Sequence, residues 1–292
     1  MNKLLALALL GTTLAGCNGG GGDGATQGDN TNNNEAALTA ESSAINSLPG
    51  LYSGTVTSNT SSMEFQAAAI LGEDGSLYFA SPDQCPTFSG KYQSKAGVLT
   101  GESTQAKTYA PCGGYKSSSI SNAVLQGVGS STGVSGTIAY EFNSGADNNV
   151  VKSTKVFSLS RSAQASAPRL LSEVSGNYAG LGTRLHISID ANGVITGTFE
   201  DSYPFALSSA SKTANCNGLL TVSKTYNLGT LDLACYNTGN GNQSLSMKGK
   251  AVFSKDQAGK KVAYAMFDYW IYDTAYVVGE TRRVGSTNFL EQ

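Results

Sequence analysis

The sequence predicts an all-β protein made of two tandem antiparallel β-domains, each a small barrel or a sandwich of about eight strands. Apolar and polar residues alternate along many short segments, which is the period-2 pattern of half-buried strands. Turn signals separate these segments about every eight to twelve residues, a spacing typical of small barrels and sandwiches. No convincing helical pattern lies between the segments, so the sequence does not favour a parallel α/β sheet.

An internal repeat indicates two copies of one structural unit. Residues 50–54 (GLYSG) return as residues 176–180 (GNYAG). Residues 70–79 (ILGEDGSLYF) return as residues 187–199 (ISIDANGVITGTF). Similar segments in the same order, at similar offsets, are the signature of a duplicated domain.

The repeat sets the predicted domain boundaries. We place the first β-domain at residues 48–161, a linker at residues 162–171 and the second β-domain at residues 172–292. The linker contains Pro168 and several small residues, which are typical of domain boundaries. Cleavage in the linker is therefore expected to release two folded halves.

Local patterns support the strands and the turns of each copy. Apolar and polar residues alternate in residues 184–190 (RLHISID), as expected for a strand with one buried face. The pairs Asp74-Gly75 and Asn192-Gly193 lie between strand-like segments. We expect type I′ hairpin turns there, in which both central residues have positive φ.

The chain opens with MNKLLALALLGTTLAGC. Lys3 precedes an apolar run at residues 4–10, which is too short to cross roughly 30 Å of hydrocarbon as a mature helix but suits a signal peptide. Residues 14–17 (LAGC) resemble the lipobox of bacterial lipoproteins in order and in position. The resemblance implies that residues 1–16 are removed and that Cys17 is acylated, which would anchor the protein in a membrane.

The segment after the lipobox predicts a tether and a location. Residues 17–47 are expected to form a lipidated, flexible tether, because residues 18–34 are rich in Gly, Asn and Asp. In bacterial lipoproteins, an aspartate after the acylated cysteine favours retention in the inner membrane. Asn18 stands there in this chain, so the resemblance implies the outer membrane, in either its periplasmic or its surface-facing leaflet.

Cysteine placement predicts two disulfides. Of the five cysteines, one is Cys17 and the other four lie two per copy at matching places. Export to an oxidising compartment favours the pairs Cys85–Cys112 and Cys216–Cys235. Metal binding by these thiols is the alternative, but the chain has no CxxC motif and only one histidine.

Charge and motifs argue against several functional classes. The net charge is −2 and no basic stripe exists, so nucleic acid is not an expected partner. Residues 129–133 (GSSTG) fit the G-x-S-x-G pattern of hydrolases, but both neighbouring segments are strand-like and that motif requires a helix after the turn. His186 is predicted to be a solvated strand residue. We therefore predict a non-enzymatic protein with no catalytic residues, no metal site and no cofactor.

One aromatic cluster is a candidate binding site. Tyr269, Trp270, Ile271 and Tyr272, here called the aromatic segment, include the only tryptophan of the chain. In the repeat alignment, the corresponding interval of the first copy is the polar turn 143–149 (NSGADNN). Exposed aromatic residues at a loop tip favour partner binding, whereas a longer strand would place the same residues in a core.

These observations lead to a main hypothesis and two alternatives. The main hypothesis is a membrane-anchored, non-catalytic lipoprotein that binds or scaffolds a protein or glycan of the envelope or cell surface. The first alternative is a carrier for haem or another small hydrophobic ligand, because haem- and metal-capturing surface lipoproteins are similar to this chain in layout. The second alternative is a hydrolase. A cavity inside a barrel would favour the carrier, and closed interiors with an exposed apolar tip would favour the scaffold.

Overall fold

The structure of the protein is a computed structural model that describes most of the chain after residue 47. The predicted signal peptide and tether lie outside the described residues, as do Cys17, Cys85, Cys112 and Tyr272. The described residues are 48–58, 63–81, 86–104, 108–109, 119–143, 150–163, 167–180, 185–201, 212–237, 243–271 and 282–292.

The first β-domain is a closed antiparallel barrel, here called barrel 1. Among its described residues eight strands form the wall, and β1 closes on β9 from Tyr52 opposite Arg161 to Ser58 opposite Lys155. The short strand β6 pairs with the start of β7. The strands are β1 (Gly50–Ser58), β2 (Glu64–Leu71), β3 (Ser76–Ala80), β4 (Phe88–Lys95), β5 (Val98–Ser103), β6 (Thr108–Tyr109), β7 (Ser119–Gly129), β8 (Gly133–Asn143) and β9 (Val150–Arg161).

The second β-domain is also a closed antiparallel barrel, here called barrel 2. Eight strands of the described residues form its wall, which closes between β10 and β17, where Tyr178 lies opposite Glu291 and Gly180 opposite Phe289. The elements are α1 (Leu171–Val174), β10 (Gly176–Gly180), β11 (Leu185–Ile189), β12 (Val194–Asp201), β13 (Lys212–Val222), β14 (Gly229–Asn237), β15 (Gln243–Lys255), β16 (Lys261–Ile271) and β17 (Arg282–Glu291).

The alternation read from the sequence is present in the strands. Along β11, Leu185, Ile187 and Ile189 are buried in the interior of barrel 2, while His186 is exposed. Each barrel has an apolar interior of its own, so the all-β, two-domain prediction is confirmed. No helix in the described ranges is long and apolar enough to cross a bilayer.

Each barrel contains an equivalent buried hydrogen bond, from the tyrosine of its first strand to a residue just before that strand. The Tyr52 hydroxyl donates to the backbone oxygen of Leu48 at 2.6 Å. The Tyr178 hydroxyl donates to the backbone oxygen of Val174, also at 2.6 Å. Burial raises the pKa of each tyrosine to about 12. Both phenols are therefore protonated donors near neutral pH, and the repeated unit includes the residues just before its first strand.

The hairpin turns differ from the predicted type I′ geometry. Gly75 and Gly193 have φ angles of 75° and 83°, but Asp74 and Asn192 are not among the non-glycine residues with positive φ. The Asp190 carboxylate instead accepts a hydrogen bond from the Asn192 N–H at 2.8 Å. The type I′ prediction was wrong because acidic side chains stabilise these turns, so that only the glycine adopts the left-handed conformation.

The two barrels pack against each other through an apolar cluster that is separate from both interiors. It joins the outer faces of β2 and β3 to β15, β16 and the 223–228 turn. Every residue of β3 is buried, which explains why its sequence, SLYFA, does not alternate. The buried members are Ile70, Tyr78, Ala80, Leu228, Val252 and Met266.

Polar contacts surround this apolar interface. Lys250 Nζ of barrel 2 donates to Asp74 Oδ2 of barrel 1 at 3.0 Å. Ser223 Oγ of barrel 2 donates to Glu73 Oε2 of barrel 1, also at 3.0 Å. Sequence reasoning missed this interface, because it predicted two halves joined only by a linker.

Equivalent ends of the two barrels lie on the same side. We call the end with the short hairpins the turn end and the opposite end the loop end. At the turn ends, the 72–75 hairpin of barrel 1 contacts the 223–228 turn of barrel 2. At the loop ends, Tyr109 of β6 pairs in parallel with Arg283 of β17. The turn-end connections are residues 72–75, 96–97, 130–132, 190–193, 223–228 and 256–260.

Candidate functional site

The described part of the aromatic segment lies at the loop end of barrel 2. The backbone of Tyr269, Trp270 and Ile271 forms the last three residues of β16, between β15 and β17. Tyr272 lies outside the described residues. Strands β8 and β16 each span 11 residues, so the described part of the segment corresponds to strand residues of β8 and not to the polar turn that follows Asn143. The binding role of the segment stays a prediction.

The chain reaches barrel 1 at its turn end. Gly50, the first residue of β1, lies opposite Leu71, which adjoins the 72–75 hairpin. Leu48 is buried just before this strand. The described part of the chain therefore begins at the turn end of barrel 1, and the loop ends face the opposite way.

Side chains fill the interiors of the barrels. In barrel 1, the ring centroid of Phe79 lies 5.9 Å from that of Phe88 and 6.0 Å from that of Phe157. In barrel 2, a cavity of about 20 Å³ lies among residues that include Tyr178 and Phe289. A void of roughly 10–15 Å³ holds about one water molecule, whereas ligand pockets usually measure roughly 300–1,000 Å³. This cavity in barrel 2 is too small for haem.

The structure brings together one of the two predicted cysteine pairs. Cys216 and Cys235 lie directly opposite each other on β13 and β14, and their sulfur atoms are bonded at 2.03 Å. Both residues are buried inside barrel 2. Cys85 and Cys112 lie outside the described residues, so their bond stays a prediction. Within the described ranges, no group of three or more His, Cys, Asp or Glu residues is placed to hold a metal ion.

Two motifs considered for catalysis lie on the surface. Ser130 lies in the exposed turn between β7 and β8, where its Oγ is 3.0 Å from Thr132 Oγ1. This is the hairpin that the sequence predicts, and β8 follows it directly. His186 is exposed on β11, and its Nδ1 lies 3.1 Å from Gln292 Nε2. Each side chain thus contacts near neighbours of its own barrel.

A cleft of about 180 Å³ opens at the turn end of barrel 2, between α1 and the hairpin that joins β15 to β16. Val174, Tyr178 and Phe253 form its apolar side. Lys255 and Lys261 line it at the two ends of the hairpin. Sequence reasoning missed this site, because its residues come from the linker, the helix and three strands.

Charged groups surround the cleft. Arg169 Nη1 lies 4.0 Å from Glu173 Oε1, and Lys261 Nζ lies 3.6 Å from Glu291 Oε1. The Lys255 side chain is exposed and forms no hydrogen bond or ion pair within the part of the chain that the structure describes. The three cations and two carboxylates leave the cleft with one excess positive charge.

Comparison with known proteins does not place the chain in a family. No protein-family model matches it, and no curated protein matches it significantly. Functional inference therefore depends on the geometry described above.

Proposed function

We propose that the protein is a membrane-anchored, non-catalytic lipoprotein of the outer membrane that binds or scaffolds an envelope or surface protein or glycan through the loop ends of its barrels. One observation carries this proposal. The chain reaches barrel 1 at the turn end, while the pairing of Tyr109 with Arg283 brings the two loop ends together. A flexible tether at residues 17–47 would therefore attach at the turn end, which is the end opposite the loop ends, and would leave the loop ends free for a partner.

Two further observations support binding at this surface. Residues 269–271 of the aromatic segment are at the loop end of barrel 2, and Trp and Tyr are enriched among residues that contribute most to binding energy. The packed rings in barrel 1 and the small cavity in barrel 2 favour partner binding over carriage of haem or a hydrophobic ligand inside a barrel.

Affinity capture from envelopes tests this function. The acylated protein is purified with its bound partners, which are identified by mass spectrometry for proteins and by glycan profiling for polysaccharide. A Trp270→Ala, Tyr272→Ala variant should lose the partner and keep its melting temperature. The matched control is Leu170→Ala, which removes an exposed apolar side chain near the turn end of barrel 2. This control should retain the partner.

Two outcomes would contradict the proposal. One is a partner retained at the parental level by the double variant. The other is a large loss of stability for Trp270→Ala alone, because removal of a core tryptophan costs roughly 3–5 kcal/mol. The second outcome would assign the aromatic segment to the core of the protein.

A further inference from the structure

We propose that the cleft between α1 and the β15–β16 hairpin binds an anionic group joined to a small apolar body. The anion would be a carboxylate or a lipid phosphate, and the apolar body a single ring or a short stretch of acyl chain. This site lies at the turn end of barrel 2, opposite the proposed partner surface. The inference does not rest on partner binding at the loop ends.

The size and the apolar side of the cleft define the body of the ligand. A cavity of roughly 150 Å³ lined by apolar side chains can bind benzene, so about 180 Å³ is enough for one ring. The side formed by Val174, Tyr178 and Phe253 belongs to the buried core of barrel 2, where these residues are 2%, 1% and 5% exposed. The packed core thus holds this wall in place before any ligand binds.

The charges around the cleft define the head of the ligand. The carboxylates of Glu173 and Glu291 lie near Arg169 and Lys261, so these two cations are already compensated. Lys255 lines the same cleft and has no such partner among the described residues. Its ammonium group can donate to an incoming anion without breaking an existing ion pair.

The two copies differ at a residue that lines the cleft in barrel 2. In barrel 1, Leu48 accepts the tyrosine hydrogen bond, and its Cδ2 would lie 2.7 Å from a Cβ placed on Gly129. In barrel 2, the smaller Val174 accepts the equivalent bond and lines the cleft. The second copy thus combines a smaller side chain at this position with basic residues at the hairpin.

The test uses the acylated protein in phosphatidylcholine vesicles and 4-fluorobenzoate as the probe. Binding is measured by the broadening of its ¹⁹F resonance, with 4-fluorobenzyl alcohol as the neutral analogue. Lys255→Gln removes the proposed charge at an exposed position. Lys248→Gln is the matched control, because Lys248 is an exposed lysine of the same strand that pairs with Asp232 at 2.9 Å.

We expect 4-fluorobenzoate to bind the parent and the Lys248→Gln protein equally. Lys255→Gln and the neutral alcohol should each weaken binding on the order of tenfold, as expected for loss of one hydrogen bond to a charged group. Equal binding of acid and alcohol, equal binding by parent and Lys255→Gln, or no binding to the parent would each overturn the proposal.

A second arm identifies the source of the anion. Part of the phosphatidylcholine is replaced by phosphatidylglycerol at constant total lipid. Displacement of 4-fluorobenzoate from the parent would assign the cleft to an anionic lipid of the membrane surface. Undiminished binding of 4-fluorobenzoate would assign it to a free small carboxylate. Neither arm depends on the loop ends, so this test can fail while the proposed function stands.

Discussion

Ser89 Oγ donates a hydrogen bond to Asp268 Oδ1 at 2.6 Å, and this bond joins barrel 1 to barrel 2. Ser89 is 3% exposed and Asp268 is 5% exposed, so water has little access to either group. The bond lies beside the apolar cluster that contains Met266, two residues before Asp268 on β16. The interface between the barrels therefore resembles a protein interior, because it combines packed apolar side chains with a buried hydrogen bond.

Ser89→Ala should lower the free energy of unfolding by about 1–3 kcal/mol, because it removes a buried donor to a carboxylate. Denaturation in urea, followed by circular dichroism, measures the change. Ser160→Ala, at an exposed serine of β9, is the control and should change stability by less than about 0.5 kcal/mol. Similar effects of the two substitutions would contradict a stabilising role of the Ser89–Asp268 bond.

Stability should fall in acid as Asp74 becomes protonated. Burial acts to raise the pKa of Asp74, but hydrogen bonds from Ser76 and Lys250 outweigh it and lower the pKa from 3.8 to about 2. Because the folded-state pKa is below the unfolded value, this stabilisation is fully present above about pH 4 and is lost as the pH falls towards 2. Urea denaturation at several pH values in this range measures the loss.

Asp74→Asn is the companion variant for this pH series. The free energy of unfolding of Asp74→Asn should vary less with pH than that of the parent, because the contribution of the Asp74 carboxylate is removed. Asp232→Asn should retain that contribution. Asp232 is an exposed carboxylate that pairs with Lys248. Identical pH profiles for the parent and Asp74→Asn would contradict the assignment.

The two barrels should remain associated after the linker is cut. A protease site inserted within residues 162–171 allows cleavage of the folded protein, and gel filtration then measures the size of the product. We expect one complex, because separation would expose the apolar cluster that includes Ile70, Tyr78 and Met266. Met266→Lys should release separate halves after the same cut. Two fragments that separate without this substitution would instead support the independent domains expected from the sequence.

Peptide mapping without reduction should find Cys216 linked to Cys235 and Cys85 linked to Cys112. Replacing Cys216 and Cys235 together by alanine should lower the free energy of unfolding by about 3 kcal/mol, the value expected for a loop of comparable length. Thermal or urea denaturation under non-reducing conditions provides the measurement. Free thiols in the exported protein, or a link between the two barrels, would contradict the pairing.

Cys17 should be the acylation site. Intact-mass measurement of membrane-extracted protein should show loss of residues 1–16 and the added mass of several acyl chains, which together hold a protein firmly on a membrane. Cys17→Ala should shift the protein from the membrane fraction to the soluble fraction. A variant that stays as firmly bound as the parent would show that another feature anchors the protein.

The strands could be predicted well from the sequence, because a half-buried strand requires apolar and polar residues to alternate within one short segment. Alternating apolar and polar residues along the segment that forms β11, together with the repeated GLYSG and GNYAG segments, were enough to predict two similar β-domains. The choice between barrel and sandwich could not be made in this way. Closure depends on pairing between strands far apart in sequence, such as β1 with β9.

The contact between the barrels was harder to predict, although β3 held a signal. SLYFA has apolar residues at both parities, which indicates burial on two faces, but it does not identify what covers the second face. The covering residues include Val252 and Met266, which follow Tyr78 by 174 and 188 positions along the chain. The cleft was missed for a similar reason, because Arg169, Tyr178 and Lys255 meet only in the folded protein.

The hydrogen bonds from Tyr52 to Leu48 and from Tyr178 to Val174 determine where the chain can be cut to obtain one complete barrel as a module. A segment that begins at Gly50 or Gly176 contains every strand of its barrel but lacks the backbone oxygen that accepts the tyrosine hydroxyl. It would leave a buried phenol without a partner, a defect worth about 1–3 kcal/mol. Breakpoints for domain exchange, chimeras or circular permutation should therefore fall before Leu48 and before Val174. A duplicated or transplanted segment that begins at or before Leu48 or Val174 would carry this stabilising bond with it.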